Sequence, residues 1–358
     1  MDLHIVGGGP SGMISAISAI RKRNASVAVS EEHSVSGIPT NCSGLFSING
    51  LESLKQFADY QRKGIILNKM NGASIDFAGE KIRIETKKDI AYVCDRSGLD
   101  RMLAANAEKE GANVKYGKRI SSAEAFESKN IIGADGPNSF VASNFGFPRI
   151  KKFVNTLQAH VAYQSEDAHK VELFISNSKF PGFFGWVIPH NEEEAEFGCG
   201  VVLPHNAKKA FGELLKIKGI RKTVVPSGAV IPIAVRSKTT LNKNNKNVLL
   251  VGDAAGQVKA TTGGGVIFGG NCARIAGENF DSPHSYEVKW RAKFGMDLLL
   301  HSQVQRYLHG KTDGELAKFG RKMREAGIER YLSERGHMDK PSKMIGIDAI
   351  RLLLSTII

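Results

Sequence analysis

The sequence predicts an α/β fold: a Rossmann-type dinucleotide-binding domain, an inserted antiparallel β-sheet unit, and a C-terminal helical region. Three observations predict it. A glycine fingerprint, Gly7-x-Gly9-x-x-Gly12, follows a short apolar strand at the N-terminus. A second passage of strand, glycine turn and helix, VLLVGDAAGQVKATTGGGVIFGG from Val248 to Gly270, lies far downstream. Between them runs alternating, aromatic-rich sequence punctuated by turn signals, the pattern of paired strands.

The first element is the strand Leu3 to Val6, which runs into the fingerprint and then a helical pattern of Met13, Ile14, Ile17 and Ile20. Each glycine has its own reason: Gly7 for the tight turn, Gly9 for close approach of a pyrophosphate, Gly12 for packing of helix on strand. A second strand, Val27 to Ser30, ends at Glu31. That is about 20 residues beyond the fingerprint, where a carboxylate meets a ribose 2′-hydroxyl. A lone fingerprint is a weak signal, but strand, glycines, helix, strand and acid in order are specific.

Next comes a loop, Gly37-Ile-Pro-Thr-Asn-Cys42-Ser-Gly44-Leu45, marked by its proline and glycines. Cys42 reads equally as a small packed hydrophobe. Residues 64–90 alternate as strands, with turn signals at Asn71-Gly72 and Ala78-Gly79. Asp95-Arg96-Ser97-Gly-Leu-Asp100 then opens a helix ending near Gly111, and Ser97 with Asp100 has the spacing of a capping box. Arg96 at that junction reads either as a fixed guanidinium within reach of a phosphate or a ring edge, or as an ordinary surface arginine. Strands near Val114 to Tyr116 and Ile131 to Gly133 return to the first sheet, the second running into Ala134-Asp135-Gly136-Pro137.

Composition bounds the remaining possibilities. A chain of 358 residues buries a large core and has room for two domains. Its four cysteines form no CxxC pair and no signal peptide precedes them, which suggests a reducing compartment. No apolar run reaches the ~20 residues that span a bilayer. The net charge of +13 concentrates between Lys208 and Lys246, where Glu213 is the only acid. Such a segment favours an anionic headgroup or membrane, or else is a solvated face. Aromatics hardly interleave with these charges, so nucleic acid is not the expected partner.

Three motifs, GGGPSG at 7–12, GADGPNS at 133–139 and GDAAG at 252–256, occur in the order that marks flavoproteins of the aromatic-hydroxylase-like FAD superfamily. Within it, the chain resembles the geranylgeranyl reductase family, which includes archaeal digeranylgeranylglycerophospholipid reductases. The closer likeness rests on the Cys42 loop, on Asp95-Arg96-Ser-Gly-Leu-Asp100, on Thr262-Gly-Gly-Gly265, and on Pro181-Gly-Phe183-Phe184-Gly-Trp186-Val-Ile188-Pro189. It covers residues 1 to about 280. One departure is Ala260, where many relatives carry proline.

The resemblance implies an FAD-binding Rossmann domain and carries roles onto particular residues. Gly7, Gly9, Ser11 and Gly12 would hold the pyrophosphate, Glu31 the adenosine ribose, and Arg96 the flavin side. Asp253 would bond the ribityl chain or nearby phosphate, while Gly265 and Val266 bring helix-start N–H groups to the isoalloxazine. Asp135 would act structurally and through water; Cys42 and Gly44 would lie close to the ring, Cys42 being the candidate for proton delivery. Phe183, Phe184, Trp186 and Pro189 would line an apolar slot for a polyprenyl chain, although an aromatic row is more often sheet core.

The expected domains are 1–150 with 240–282 for FAD, 151–239 for a β-rich substrate unit, and 283–358 for the helical region. Residues 64–90 are open to membership of the substrate sheet. The expected activity is FAD-dependent reduction of carbon–carbon double bonds in geranylgeranyl lipids. The electron donor stays open among ferredoxin, NADPH and deazaflavin. Two rival readings are a flavin monooxygenase or halogenase, whose Trp-x-Trp-x-Ile-Pro signature the 184–189 stretch also resembles, and a non-catalytic flavin or lipid carrier. The tail 344–358 has the composition of an interfacial helix or of a segment folded back on the protein. The expected location is the cytoplasm, with a peripheral place at the inner face of the cell membrane.

Overall fold

The computed structural model describes residues 1–221 and 224–344. The tail reading, from 345 onward, lies outside the described residues. Two large sheets and one small one organise the chain. The first is six-stranded, with spatial order Thr240–Lys243, Lys246–Leu250, Asn130–Gly133, Leu3–Val6, Val27–Ser30 and Asn113–Lys115. All its pairings are parallel except the edge pair Thr240–Lys243 with Lys246–Leu250.

Central parallel strands are buried on both faces, which is why Leu3–Val6 and Val27–Ser30 are short, mostly apolar runs. The helices Pro10–Arg23 and Val266–Glu278 cover one face together and pack on each other through small residues. A Cβ at Gly277 would stand 2.3 Å from the Ser15 carbonyl oxygen, so the two backbones approach closer than any other residue permits. Leu3, Ile5, Met13, Ile14, Ile17 and Cys272 are fully enclosed there.

The second sheet is seven-stranded: Ser227–Pro232, Phe153–Ala162, Glu194–Val202, Gly185–Pro189, Lys170–Ile175, Gly72–Phe77 and Glu80–Glu85. It is antiparallel apart from the parallel pair Gly72–Phe77 with Lys170–Ile175. Ala78 and Gly79 do form a tight hairpin, both with positive φ, at 51° and 107°. Asn71-Gly72 does not. The strand Ile66–Met70 belongs to a small sheet with Leu45–Ser47 and Ala91–Cys94, and at Asn71 the chain leaves that sheet for the larger one.

A capping box at Ser97 and Asp100 is also not what forms. Asp95 is the N-cap of Arg96–Lys109 and accepts from the Gly98 N–H, while Asp100 turns to Arg96. The helices after Pro283 run as Pro283–Trp290, a π-turn at Arg291–Gly295, then Met296–His309, Asp313–Glu325 and Ile328–Arg335. Asp313–Glu325 opens on a capping box from Thr312 and Glu315.

The basic segment is largely solvated, with Lys208, Lys209, Lys216, Arg221 and Lys238 exposed, but some of its charges are tied into the structure. Arg236 is 7% exposed and donates to the carbonyls of Ala254 and Pro148, and Lys218 pairs with Glu172. Lys243 and Lys246 donate to the Phe145 and Ser128 carbonyls.

The aromatic row of the second sheet lies on glycine. A Cβ at Gly198 would sit 2.1 Å from the Trp186 ring, and one at Gly200 would sit 2.4 Å from Phe183. Gly198→Ala is therefore expected to lower stability by about 1–3 kcal/mol, the usual cost of overpacking. Thermal unfolding checks this; an unchanged Tm would mean that the indole moves aside freely.

Candidate active site

The fingerprint turn is shaped by two glycines that have no room and one that has space. Gly7 lies at φ 102°, and a Cβ there would stand 2.3 Å from the Ala134 carbonyl oxygen. A Cβ on Gly12 would overlap the Gly7 oxygen at 1.9 Å. Around Gly9, by contrast, nothing lies within 4 Å. The helix that follows has no side-chain cap and no acid in its first turn, so its leading N–H groups and positive dipole end face that open space. This is a fit for a pyrophosphate.

Ser11 faces the second glycine turn, its hydroxyl oxygen lying 2.6 Å from where a Gly252 Cβ would be and 2.9 Å from one on Gly269. Two motifs far apart in sequence thus meet at one hydroxyl. Glu31 is buried at the end of its strand; its carboxylate accepts from the Gly8 N–H at 2.6 Å and from the His33 N–H at 2.8 Å. It fixes the turn from below. Asp135 accepts from Ser139 Oγ at 2.6 Å and the Val141 N–H at 2.9 Å, anchoring the short helix Phe140–Phe145.

The second helix start is equally bare. Val266–Glu278 begins after Gly265 with no side-chain cap, and a Cβ on Gly265 would come within 2.8 Å of Asp253 Oδ1. Burial pushes the Asp253 carboxyl up to about 6, against the pull of the Arg96 charge. Its protonated form is thus favoured by the fold. The stability this contributes is complete below the ordinary carboxylate value and is lost as pH rises through about 6. In FAD-free protein, Asp253→Asn is expected to gain about 1–3 kcal/mol near pH 8 and nothing near pH 4. Equal Tm differences at the two pH values would show that the carboxyl is not shifted.

Arg96 and Asp100 form a bidentate pair, with Nε and Nη2 at 2.8 and 2.9 Å from the two carboxylate oxygens. Burial opposes the guanidinium charge, but Asp100 and the adjoining Cys42 side chain outweigh it and hold Arg96 above its ordinary value. Cys42 is half-buried against the core of the first domain. Gly44, at φ 68°, presses on the Cys94 carbonyl oxygen, where a Cβ would be 2.1 Å away. The Cys42 loop is thereby tied to the strand that leads into Arg96. Val266 and Arg96 line one cavity with Ile14, Phe46 and Leu99.

On the second sheet, Phe183 and Phe184 stack at 4.3 Å and Phe184 meets Trp186 at 5.6 Å. Phe183 reaches the glycine loop, its ring 3.4 Å from where a Gly263 Cβ would stand. Trp186 donates to Glu196 at 3.0 Å, and burial pushes that carboxyl up to about 7. Pro189 is buried, its carbonyl accepting from Asn68.

Residues that the sequence reading did not single out complete the surroundings. Thr261, Gln305, Leu308 and His309 line a groove with Phe183 and Phe184. Thr261 Oγ1 is 2.7 Å from His301 Nδ1, and burial, helped by Lys259, lowers His301 to about 4. Lys259 pairs with Asp339 at 2.8 Å, both nearly enclosed. The helix Met296–His309 carries no motif, so only its amphipathic spacing was there to be read.

These features define a flavin-dependent oxidoreductase of the two-sheet type, with FAD as its cofactor. The chain belongs to the FAD binding domain family, whose profile matches residues 1–271. Similar curated proteins include an uncharacterised protein of Methanocaldococcus jannaschii, 27% identical over 96% of this chain and 93% of that one. Another is digeranylgeranylglycerophospholipid reductase 2 of Methanothermobacter thermautotrophicus, 27% identical over 88% of this chain and 89% of its own. Among solved structures, a geranylgeranyl bacteriochlorophyll reductase-like protein of Thermoplasma acidophilum superposes with TM-score 0.81 at 22% identity, covering 99% and 97% of the two chains. The halogenase PltM superposes with TM-score 0.69 at 15% identity, covering 98% and 86%. Among the described residues no helix is long and apolar enough to cross a membrane.

Proposed function

We propose that this chain reduces isolated carbon–carbon double bonds in the geranylgeranyl chains of an isoprenoid lipid, with electrons from an external donor. The observation that carries the reading is the aromatic row Phe183, Phe184 and Trp186 continuing onto the Thr262-Gly-Gly-Gly265 loop through Phe183. The names of the curated relatives support it. Residues 1–150 and 240–282 serve as the cofactor unit, except that 72–85 joins 151–239 in the lipid-facing unit, and the helix Met296–His309 closes the groove.

FAD, when bound and reduced, supplies a hydride. Gly7, Gly9, Ser11 and Gly12 hold its pyrophosphate, Glu31 the adenosine ribose, Asp253 the ribityl side, and Arg96, Gly44, Gly265 and Val266 the flavin end. An isolated alkene is a poor hydride acceptor, so the chain must exclude water and place a proton where positive charge develops. The stacked rings and the groove wall of Gln305 and Leu308 provide the dry surface. Cys42, beside Arg96, provides the proton at Sγ.

The test is mass spectrometry of a geranylgeranyl lipid incubated anaerobically with dithionite-reduced protein. Hydrogen addition is expected. Product formation that requires dioxygen would instead support a monooxygenase or halogenase. Cys42→Ser is expected to keep its flavin spectrum and lose about 100-fold in turnover. Full turnover in that variant would exclude the thiol as proton source.

A further inference from the structure

Two neighbouring strands of the seven-stranded sheet, and the residue that follows Gly185–Pro189, place His160, Glu196 and His190 together. His160 pairs directly with Glu196 across one strand boundary, and Ile188 pairs with Glu196 across the next. The His190 N–H donates to the Glu194 carbonyl and so continues the pairing one step past the strand end, which brings His190 to the same side as Ile188 and Glu196. The imidazole rings stand edge to face at 4.6 Å, and the ligand atoms of all three residues lie within 4.8 Å of one another.

None of the three is among the residues assigned to the cofactor, although Glu196 borders the aromatic row by accepting from the Trp186 indole. Glu196 is four residues along its strand from Gly200, the position against which Phe183 packs, or about 13 Å away at 3.3 Å per residue.

We propose that His160, His190 and Glu196 form a binding site for a divalent transition-metal ion of the zinc class. Two imidazoles and one carboxylate are the donor set of such ions, whereas calcium and magnesium prefer all-oxygen sites. His190 Nε2 is buried with no hydrogen-bond partner, a cost in free energy that a ligated ion removes. Glu196 is 1% exposed and held by the Trp186 N–H on one oxygen, which leaves lone pairs free for a cation. Glu194, 3.6 Å from His160 Nδ1, adds a second negative charge at the rim.

Donor atoms around a tetrahedral ion at 2.0–2.1 Å lie roughly 3.3 Å apart. Binding an ion would draw the three donors together from their present spread, and the His160 side chain, 55% exposed, has room to move. Three protein ligands leave a fourth position for water or for an anionic oxygen of a bound molecule.

The experiment uses the FAD-loaded full chain, stripped with chelator and titrated with zinc sulfate against a chromophoric competitor. One equivalent of zinc per chain is expected, with affinity falling at least about 100-fold in His160→Ala and in His190→Ala while the flavin spectrum is kept. His160→Ala is decisive because a half-exposed side chain can be shortened without touching the core. X-ray absorption of the loaded wild type is expected to show imidazole scattering. Zinc uptake absent from the wild type, or undiminished in the His160→Ala, His190→Ala double variant, overturns the site. Because the readout is zinc content, it is decided separately from lipid reduction.

Discussion

Gly9→Val is expected to yield a folded, colourless protein, whereas Gly12→Val is expected not to reach the native state. The contrast follows from where the added atoms go. A branched side chain at Gly9 enters the empty space at the head of the helix Pro10–Arg23, where nothing lies within 4 Å, and takes the place of the pyrophosphate. At Gly12 the first added carbon already overlaps the Gly7 carbonyl oxygen at 1.9 Å, and a backbone atom cannot swing aside as a side chain does. FAD affinity should fall at least about 100-fold in the first variant, with apoprotein unfolding unchanged. Absorption spectroscopy with thermal melts separates the two. Retained yellow colour in the Gly9 variant would mean that the cofactor does not use this turn.

The second large effect is expected at Arg96. Arg96→Met removes the bidentate partner of Asp100, whose side chain is 10% exposed, and strands a carboxylate in the core. Breaking a buried pair from one side costs about 3–5 kcal/mol. Arg96→Met with Asp100→Leu should recover most of that stability, since neither charge then remains, yet should not recover flavin affinity. An Arg96→Met protein that melts like the wild type would show that the pair is not needed for folding. A double variant with normal flavin binding would remove Arg96 from the cofactor site.

The glycine turns were legible from sequence because their constraints are local: a positive φ or a missing Cβ leaves its mark on the residue itself. The order of strand, turn and helix around them was legible for the same reason. Misreadings arose where two partners compete. At the start of Arg96–Lys109, both Asp95 and Ser97 are good caps, and what decided was the pull of Arg96 on Asp100 one turn further on. Asn71-Gly72 has turn chemistry, but local chemistry does not distinguish a hairpin from a crossing between sheets. Within a basic run that is mostly exposed, the anchoring of Lys218 and Arg236 was not legible because their partners, Glu172 and the carbonyls of Pro148 and Ala254, are remote or are backbone. The groove wall at Gln305 and His309 was hidden altogether, since it exists only where a motif-free helix meets Gly182 and Thr261.

The strand Lys246–Leu250 slots beside Asn130–Gly133, and the turn behind it closes on Ser11, so the nucleotide cradle is built from both ends of a long span of chain. During synthesis, a ribosome that has released the first half has produced only one lip of that cradle. The proposed cradle is therefore complete only once the helix Val266–Glu278 has been made.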